Sequence, residues 1–276
     1  MIHDTECIIA LANILRENVE TLEKVQVLAV SSAFMDFFLH AFNYRVQVAG
    51  LKKITLEDTK RAELEIIHAF LALTLKLPLD DFKPLFYRIF NMSYVEADLC
   101  SSITVFHVTL EVAKSLKSLF EFICETLVQK ASTVLNFYSG NNFEKFTALA
   151  QKKQGLQLLL FILEALQTLF TNNRMDSLLT KNYEDLVNAM VALFELKLAV
   201  KEQAEEDQLL EKVYSSSQSF CVRSVLFMKI HFLLSFQLSD CLAQLAACTE
   251  DETQWKYLNY QVLLNLRSPY PKVIKN

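Results

Sequence analysis

Glu65 and His68 are the residues best placed for chemistry, because a Glu-x-x-His spacing puts a carboxylate and an imidazole on one face of a helix. Di-iron helical bundles hold their metals with two such pairs and further glutamates. This sequence contains no second Glu-x-x-His motif. We therefore predict that Glu65 is exposed, that His68 lies at the edge of the core, and that the pair binds no metal.

Two other acidic–histidine pairs are spaced four residues apart, Asp36 with His40 and His107 with Glu111. Such neighbours on a helix form local hydrogen bonds or weak ion pairs worth about 0.2–0.5 kcal/mol each, and we predict that role for both. The sequence has only three glycines, and it lacks both a glycine-rich phosphate loop and a Gly-x-Ser-x-Gly elbow. We therefore predict no catalytic, metal-binding or cofactor-binding residue, no cofactor, and a protein that is not an enzyme.

Phenylalanine is dense in two segments and could in principle form a stacking platform for nucleic-acid bases. Helical spacing among acidic neighbours is more typical of a core. We interpret as core the residues Phe34, Phe37, Phe38 and Phe42 of the first segment and Phe82, Phe86 and Phe90 of the second.

The charge of the chain also argues against direct nucleic-acid binding. Its 276 residues carry a net charge of −5. Proteins that bind phosphate backbones usually present a basic patch. Here the basic residues occur only as small scattered doublets, namely Lys52-Lys53, Lys60-Arg61 and Lys152-Lys153.

The apolar content, 52%, raises the question of a membrane span. A spanning helix needs about 20 mostly apolar residues, whereas the longest charge-free stretch, 131–143, contains Ser, Thr, Asn and Gly. We predict no span, and no signal peptide because charged residues such as Arg16 interrupt the N-terminal segment. The six cysteines form no Cys-x-x-Cys pair, which favours a reducing compartment in which they act as small hydrophobic residues.

Long helices are the elements that must position these side chains. Only three Gly and four Pro are present to supply turns, and apolar residues recur at spacings of three and four. The stretch 102–137 is long enough to contain a break. The pattern predicts helices over 5–18, 21–47, 56–76, 82–92, 102–137, 154–172, 176–201, 205–213, 219–236, 238–249 and 254–266.

Three helix starts can be placed from capping residues. Thr55 and Asp58 match a capping box, in which each side chain bonds to the backbone of the other residue. Asp81 is predicted to cap the next helix, which would leave Pro84 in the first turn, where a missing N–H costs nothing. Thr253 is predicted to cap the last helix.

Consecutive helices joined by short links predict an all-α fold, an α-solenoid of HEAT-like helix pairs forming an armadillo-like superhelix. We expect a helical HEAT-like half over 1–137, a polar linker over 138–153, and a second HEAT-like half over 154–276 that is continuous with the first. Because no crisp repeat appears at the expected period of 40–47 residues, a compact helical bundle is the alternative architecture.

Three stretches, in order, resemble the C-terminal region of one known family. They span about residues 60–135 and 220–274, and comprise 75–77 with 82–90, 103–107 with 116–120, and 241–246 with 255–264. The family is that of HEAT-repeat-containing protein one, also called U-three small nucleolar RNA-associated protein ten. In place of a proline that this family favours, the chain has Tyr257.

The resemblance implies a C-terminal piece of a long nucleolar solenoid, a scaffold component of the small-subunit processome that supports pre-rRNA processing and ribosomal DNA transcription. It implies a nuclear, nucleolar location and protein–protein contacts with processome proteins. Contact with pre-rRNA or the small nucleolar ribonucleoprotein would be indirect, with no membrane and no small-molecule substrate.

The family pattern residues carried by this chain are expected to be architectural: Phe82, Pro84, Phe86, Trp255 and Asn259. In that role Trp255 and Tyr260 would pack on a neighbouring helix, and Asn259 would satisfy a buried backbone group. The partner-binding residues stay unknown. The alternatives are a generic HEAT or armadillo-type adaptor unrelated to ribosome assembly, and a helical metalloenzyme built on Glu65 and His68.

Overall fold

A computed structural model describes residues 4–51, 53–93, 99–139, 146, 149–173, 182–195 and 222–266. Within these ranges every regular element is a helix, which confirms the all-α prediction of helices packed in series. The chain divides into two compact units, Met1–Phe122 and Ile123–Asn276. The predicted linker over 138–153 stays a prediction, because residues 140–145 and 147–148 lie outside the described ranges.

The first unit is organised around its fourth helix, which packs on the first helix most extensively and also on the second, third and sixth. The helices are α1 Thr5–Thr21, α2 Lys24–Ala41, α3 Tyr44–Val48, α4 Leu56–Thr74, α5 Leu79–Phe90 and α6 Leu99–Leu116. The segment predicted as one helix over 21–47 is thus two helices, α2 and α3, separated at Phe42 and Asn43.

The start of α4 confirms the predicted capping box. The backbone N–H of Asp58 donates to Thr55 Oγ1 at 3.1 Å, and that of Thr55 donates to Asp58 Oδ2 at 3.2 Å. Hydrogen bonds from the side chain and then the backbone of Thr55 lower the pKa of the Asp58 carboxyl. The box was predictable because all of its partners lie within four residues of sequence.

The predicted start of α5 is wrong. The helix begins at Leu79 with Pro78 as its N-cap residue, and Asp80 and Asp81 lie in the first turn. There they complement the positive end of the helix dipole without capping it. Pro84 is therefore in the second turn, where its missing N–H removes a backbone hydrogen bond. Burial of four apolar side chains of α5, Phe82, Phe86, Ile89 and Phe90, offsets that loss.

The long helix predicted over 102–137 is broken. α6 ends at Leu116, a 3₁₀ helix spans Lys117–Ile123, and α7 begins at Cys124. Lys117 has φ +52°, the one non-glycine residue with positive φ in the described ranges. A left-handed residue with a Cβ costs roughly 1–2 kcal/mol. The turn brings Phe120 and Phe122 against Phe86, with ring centroids 5.4 and 6.1 Å away, and this packing offsets the strain.

The second unit contains α7 Cys124–Ser139, α8 Leu149–Asn172, α9 Tyr183–Ala192, a 3₁₀ helix Leu193–Glu195, α10 Val222–Cys248 and α11 Glu252–Leu266. α7 packs on α9, α8 on α10, and α9 on α11. The two helices predicted over 219–236 and 238–249 are one helix, α10, because no glycine or proline interrupts them. The helix predicted over 205–213 lies outside the described residues, as does part of that over 176–201.

Asp251, not Thr253, caps α11. Its Oδ1 accepts from the backbone N–H of Thr253 at 2.7 Å and of Gln254 at 3.3 Å. The prediction is wrong by two residues because either side chain can accept such a bond and the helix begins earlier, at Glu252.

The cysteines Cys124 and Cys241 are buried, which confirms the interpretation of these two as small hydrophobic residues. Burial raises the pKa of the Cys241 thiol, and the nearby Cys248 and Asp240 raise it further. Cys221 lies outside the described residues.

Two helical segments are long and apolar enough to cross a membrane by length and composition alone, Lys24–Val48 and Gln151–Asn172. In the second, 61% of the most apolar window is buried inside the protein, as in an ordinary core helix, whereas in the first the share is 22%. The expectation that nothing spans a bilayer stays a prediction.

Candidate functional site

Glu65 and His68 are half-buried on α4, where Glu65 forms an ion pair with the neighbouring helix α1. Its Oε2 is 3.6 Å from Arg16 Nη1 of α1 and 3.6 Å from His68 Nδ1. The Glu65 side chain is only 24% exposed, so the prediction that Glu65 is exposed is wrong. His68 lies at the edge of the core as predicted. Within the described residues no group of three His, Cys, Asp or Glu side chains could hold a metal ion.

The predicted partners of His107 and Asp36 are different from those observed. His107 Nδ1 donates to Glu63 Oε2 of α4 at 2.7 Å, and Glu111 Oε1 pairs with Lys114. Asp36 Oδ1 pairs with Arg88 of α5 at 3.3 Å. Tertiary packing supplied better partners than the local helical spacing did in both cases.

Glu63 is the centre of a buried polar cluster that sequence reasoning missed. Arg45 of α3 donates through Nε to Glu63 Oε1 at 3.0 Å and through Nη2 to Oε2 at 2.6 Å. Thr104 of α6 donates its hydroxyl to Glu63 Oε1, and His107 of the same helix contacts Oε2. All four residues are buried. The cluster therefore joins α3, α4 and α6 through one carboxylate.

The electrostatics of this cluster keep Glu63 ionised. Burial would raise the pKa of Glu63, but the charge of Arg45 and hydrogen bonds from His107 and Arg45 outweigh it and lower the pKa to about 2. The Arg45 Nη1 atom has no hydrogen-bond partner in the described part of the chain. A carboxylate whose lone pairs are occupied by protein donors, and which solvent does not reach, is suited to holding helices together and not to proton transfer.

The phase of α4 could have revealed this cluster. Ala62, Ile66 and Phe70 recur at a spacing of four, Ile67 lies three residues before Phe70, and all four are buried. That phase places Glu63 on the buried face, although its acidic neighbour Glu65 suggests a solvated one. The partner His107 is 44 residues further along, and nothing local identifies it.

The aromatic residues are mostly core, as predicted. Phe70 of α4 contacts Phe38 of α2 and Phe82 of α5, with ring centroids 5.2 and 6.2 Å apart. Phe42, Phe86 and Phe90 are buried as well. Phe34 is only half-buried. Phe37 is 44% exposed, so its prediction as core is wrong.

α2 exposes several apolar side chains, namely Val25, Leu28, Val30 and Phe37. They are spread around the helix, with the exposed polar residues Gln26, Asp36 and His40 between them, and do not form one face. The buried face of the helix carries Val27, Met35 and Phe38.

α11 also exposes several apolar side chains. Leu258 is buried on its inner face, and Tyr257 donates its hydroxyl to Asn188 Oδ1 of α9 at 2.8 Å. Its exposed apolar side chains are Trp255 (48%), Tyr260 (59%), Leu263 (58%) and Leu264 (43%).

The exposure of the α11 side chains corrects the predicted architectural roles in this helix. Trp255 and Tyr260 were expected to pack on a neighbouring helix, yet both rings face largely outward. Asn259 donates to the carbonyl of Trp255 in its own helix at 3.1 Å, at an exposed position, and does not satisfy a buried backbone group. Phe82 and Phe86 do have the expected core roles.

Comparisons with known proteins agree on one family. The profile of the BP28CT (NUC211) domain matches residues 26–178. HEAT repeat-containing protein 1 of Macaca fascicularis is 26% identical over 264 residues, which is 95% of this chain and 24% of that protein. The proteins of the same name from Homo sapiens and Danio rerio are also 26% identical over 95% of this chain.

The chain spans only a small part of these curated relatives, 11% of the human protein and 12% of the Danio rerio protein. No solved structure matches the chain. The similarity confirms the family resemblance inferred from the three sequence stretches.

Proposed function

We propose a function for this chain from one premise: it belongs to the BP28CT (NUC211) domain family, whose profile matches more than half of the length of the chain. Its relatives are named for HEAT repeats. HEAT units are helix pairs that each contact their neighbours and together present extended binding surfaces. Family membership therefore supports a HEAT-type helical protein that works through protein–protein contacts.

The proposed function is that of a scaffold component of the small-subunit processome, which supports nucleolar pre-rRNA processing and ribosomal DNA transcription in the nucleus. The observation that carries the proposal is 26% identity over 95% of the chain to HEAT repeat-containing protein 1. The exposed apolar side chains of α2 and α11 support contact with other proteins. The chain acts without catalysing a reaction, as a scaffold does.

Contact with pre-rRNA or the small nucleolar ribonucleoprotein would be indirect. The net charge is −5, and several surface cations are engaged by acidic partners. Arg61 pairs with Glu6, Arg88 with Asp36, and Lys256 with Glu252. Such pairing leaves less positive charge to attract a phosphate backbone.

The test is purification of the tagged full chain from its own cells, together with imaging and analysis of pre-rRNA intermediates after depletion. We expect processome subunits to co-purify, the protein to concentrate in the nucleolus, and early pre-rRNA to accumulate. A diffuse cytosolic protein without an rRNA phenotype would contradict the assignment.

A generic HEAT or armadillo-type adaptor is the second candidate. It is favoured by one observation, that the chain spans only 11–24% of its relatives and therefore need not share the role of the whole protein. Recovery of a reproducible partner set without processome subunits in the same purification would favour this function.

A further inference from the structure

The turn that follows α6 is formed by a stretch of sequence without a helix-breaking residue. Residues 99–139 contain neither glycine nor proline, and apolar side chains recur through them at helical spacing. Yet Lys117–Ile123 is a 3₁₀ helix, and Lys117 has φ +52°. Runs of 3₁₀ helix longer than about four residues are uncommon, and a left-handed residue with a Cβ is strained. The local sequence therefore favours an α-helix here, and tertiary contacts hold the turn.

Leu119 shows what the turn costs. In an uninterrupted α-helix, with about 100° per residue, it would share one face with Val112, Leu116 and Ile123, which lie at spacings of three and four. Val112 and Ile123 are buried, and Leu116 is half-buried. Leu119 instead is 59% exposed. The turn therefore removes one side chain from an apolar face that is otherwise mostly buried.

Phe120 and Phe122 show what the turn gains. Their ring centroids lie 5.4 and 6.1 Å from that of Phe86, and Phe120 is buried. In an α-helix, side chains two residues apart point to nearly opposite sides, about 200° from one another, so both would not reach one ring. The 3₁₀ turn brings both rings to one aromatic side chain of α5.

The same helix, α5, also holds the backbone of the turn. The Tyr87 hydroxyl donates to the carbonyl oxygen of Phe122 at 3.0 Å. The Phe122 ring centroid is 6.0 Å from that of Phe82 and 6.0 Å from that of Tyr87. Lys83 Nζ lies 5.8 Å from the same centroid. All of these contacts come from α5, so α5 acts as a clamp on residues 117–123.

We propose that residues 117–123 are a two-state element. In the observed state α5 holds the 3₁₀ turn and Leu119 is exposed. In the second state the segment is α-helical and continues α6, Leu119 joins the buried face, and Phe120 and Phe122 no longer both contact Phe86. Loss of the α5 contacts converts the first state into the second. A partner that covers Leu119 binds only the first state and therefore holds it.

Two substitutions in the full chain should drive the segment into the α-helical state. Tyr87→Phe removes the hydrogen bond to the Phe122 carbonyl and keeps the ring. Lys117→Val places a β-branched residue in the left-handed conformation, which such residues adopt least readily. With both changes we expect the ratio of α-helical state to turn state to rise about tenfold or more over the unsubstituted chain. In the matched control Lys114→Val, within α6, takes the place of Lys117→Val and should not add to the effect of Tyr87→Phe.

Nuclear magnetic resonance of the isotope-labelled full chain measures this ratio. A contact between the Cα proton of residue 117 and the amide proton of Glu121 is close only in the α-helical state, because it joins residues four apart. The coupling between the amide and Cα protons of residue 117 distinguishes its left-handed from its right-handed conformation. The two signals together assign each state.

Leu119→Asp tests the exchange of side chains between the two states. In the turn state position 119 is exposed and accepts a charge, whereas in the α-helical state that charge would enter an apolar face. Adding Leu119→Asp to the double variant is therefore expected to restore the turn. Tyr87→Phe combined with Lys117→Gly should also keep the turn, because glycine adopts the left-handed conformation without strain.

Three results would overturn the proposal: a double variant that keeps the turn, a segment that gives the signals of neither state, or a Leu119→Asp substitution that does not restore the turn. If the double variant does not fold, Tyr87→Phe alone decides in the same way, with a smaller rise in the ratio expected and an unchanged ratio contradicting the proposal. None of these results depends on co-purification with processome subunits, so this inference and the proposed function fail separately.

Discussion

Glu63 illustrates at the residue scale how one carboxylate can join three helices. Its two oxygens accept from Arg45, Thr104 and His107, which lie on α3 and α6. Removing one partner of a buried ion pair leaves the other charge buried without compensation. The effect of a substitution is therefore expected to be far larger here than at a surface pair.

Glu63→Ala is expected to destabilise the first unit by about 3–5 kcal/mol, because it leaves the Arg45 guanidinium buried and unpaired. Glu65→Ala is the matched control, two residues away in the same helix, and should cost less than about 1 kcal/mol. Urea unfolding followed by circular dichroism measures both. Equal effects of the two substitutions would contradict the structural role of the cluster.

Acid should weaken the same cluster in a defined pH range. The pKa of Glu63 is lowered from 4.5 to about 2, so the unfolded chain binds a proton at higher pH than the folded chain does. The stability that Glu63 contributes is therefore complete above pH about 4.5 and is lost as the pH falls toward 2. In Glu63→Gln the slope of unfolding free energy against pH should be flatter in this window than in Glu65→Gln; identical slopes would refute the assignment.

At the scale of elements, Lys117 marks where a predicted single helix is divided. Its left-handed backbone carries strain that a glycine would not. Lys117→Gly is expected to stabilise the protein by about 0.5–1 kcal/mol, whereas Lys114→Gly, three residues earlier inside α6, should destabilise it by about 1 kcal/mol. Thermal unfolding of the two variants gives the sign of each change, and destabilisation by Lys117→Gly would show that the lysine conformation is supported by other contacts.

Some features of the helices could be predicted from local sequence, and others could not. The existence of most helices follows from apolar periodicity, and the Thr55–Asp58 capping box follows from local spacing. The prediction misplaced the start of α5 because an aspartate near a helix start fits the N-cap position and also the first turn, where Asp80 and Asp81 lie. The Glu63 cluster and the outward orientation of Trp255 depend on residues distant in sequence, so periodicity alone could not supply them.

At the scale of the whole molecule, the chain consists of two compact units, and each has a core of its own. Glu63→Ala affects the core of the first unit, and Leu166→Ala in α8 removes a fully buried side chain from the second, at a cost of about 2–5 kcal/mol. If the units unfold separately, calorimetry of each variant should show one transition lowered and the other unchanged. A single transition lowered equally by both substitutions would indicate one cooperative unit.

The buried thiol of Cys241 can report how often the second unit opens. Its thiol is fully buried and its pKa is raised, so almost no reactive thiolate is exposed while the helices are closed. An alkylating reagent can modify it only in molecules whose α10 has transiently separated from its neighbours. The rate of that modification therefore counts opening events in the second unit, and a bound partner that holds the unit closed should slow it.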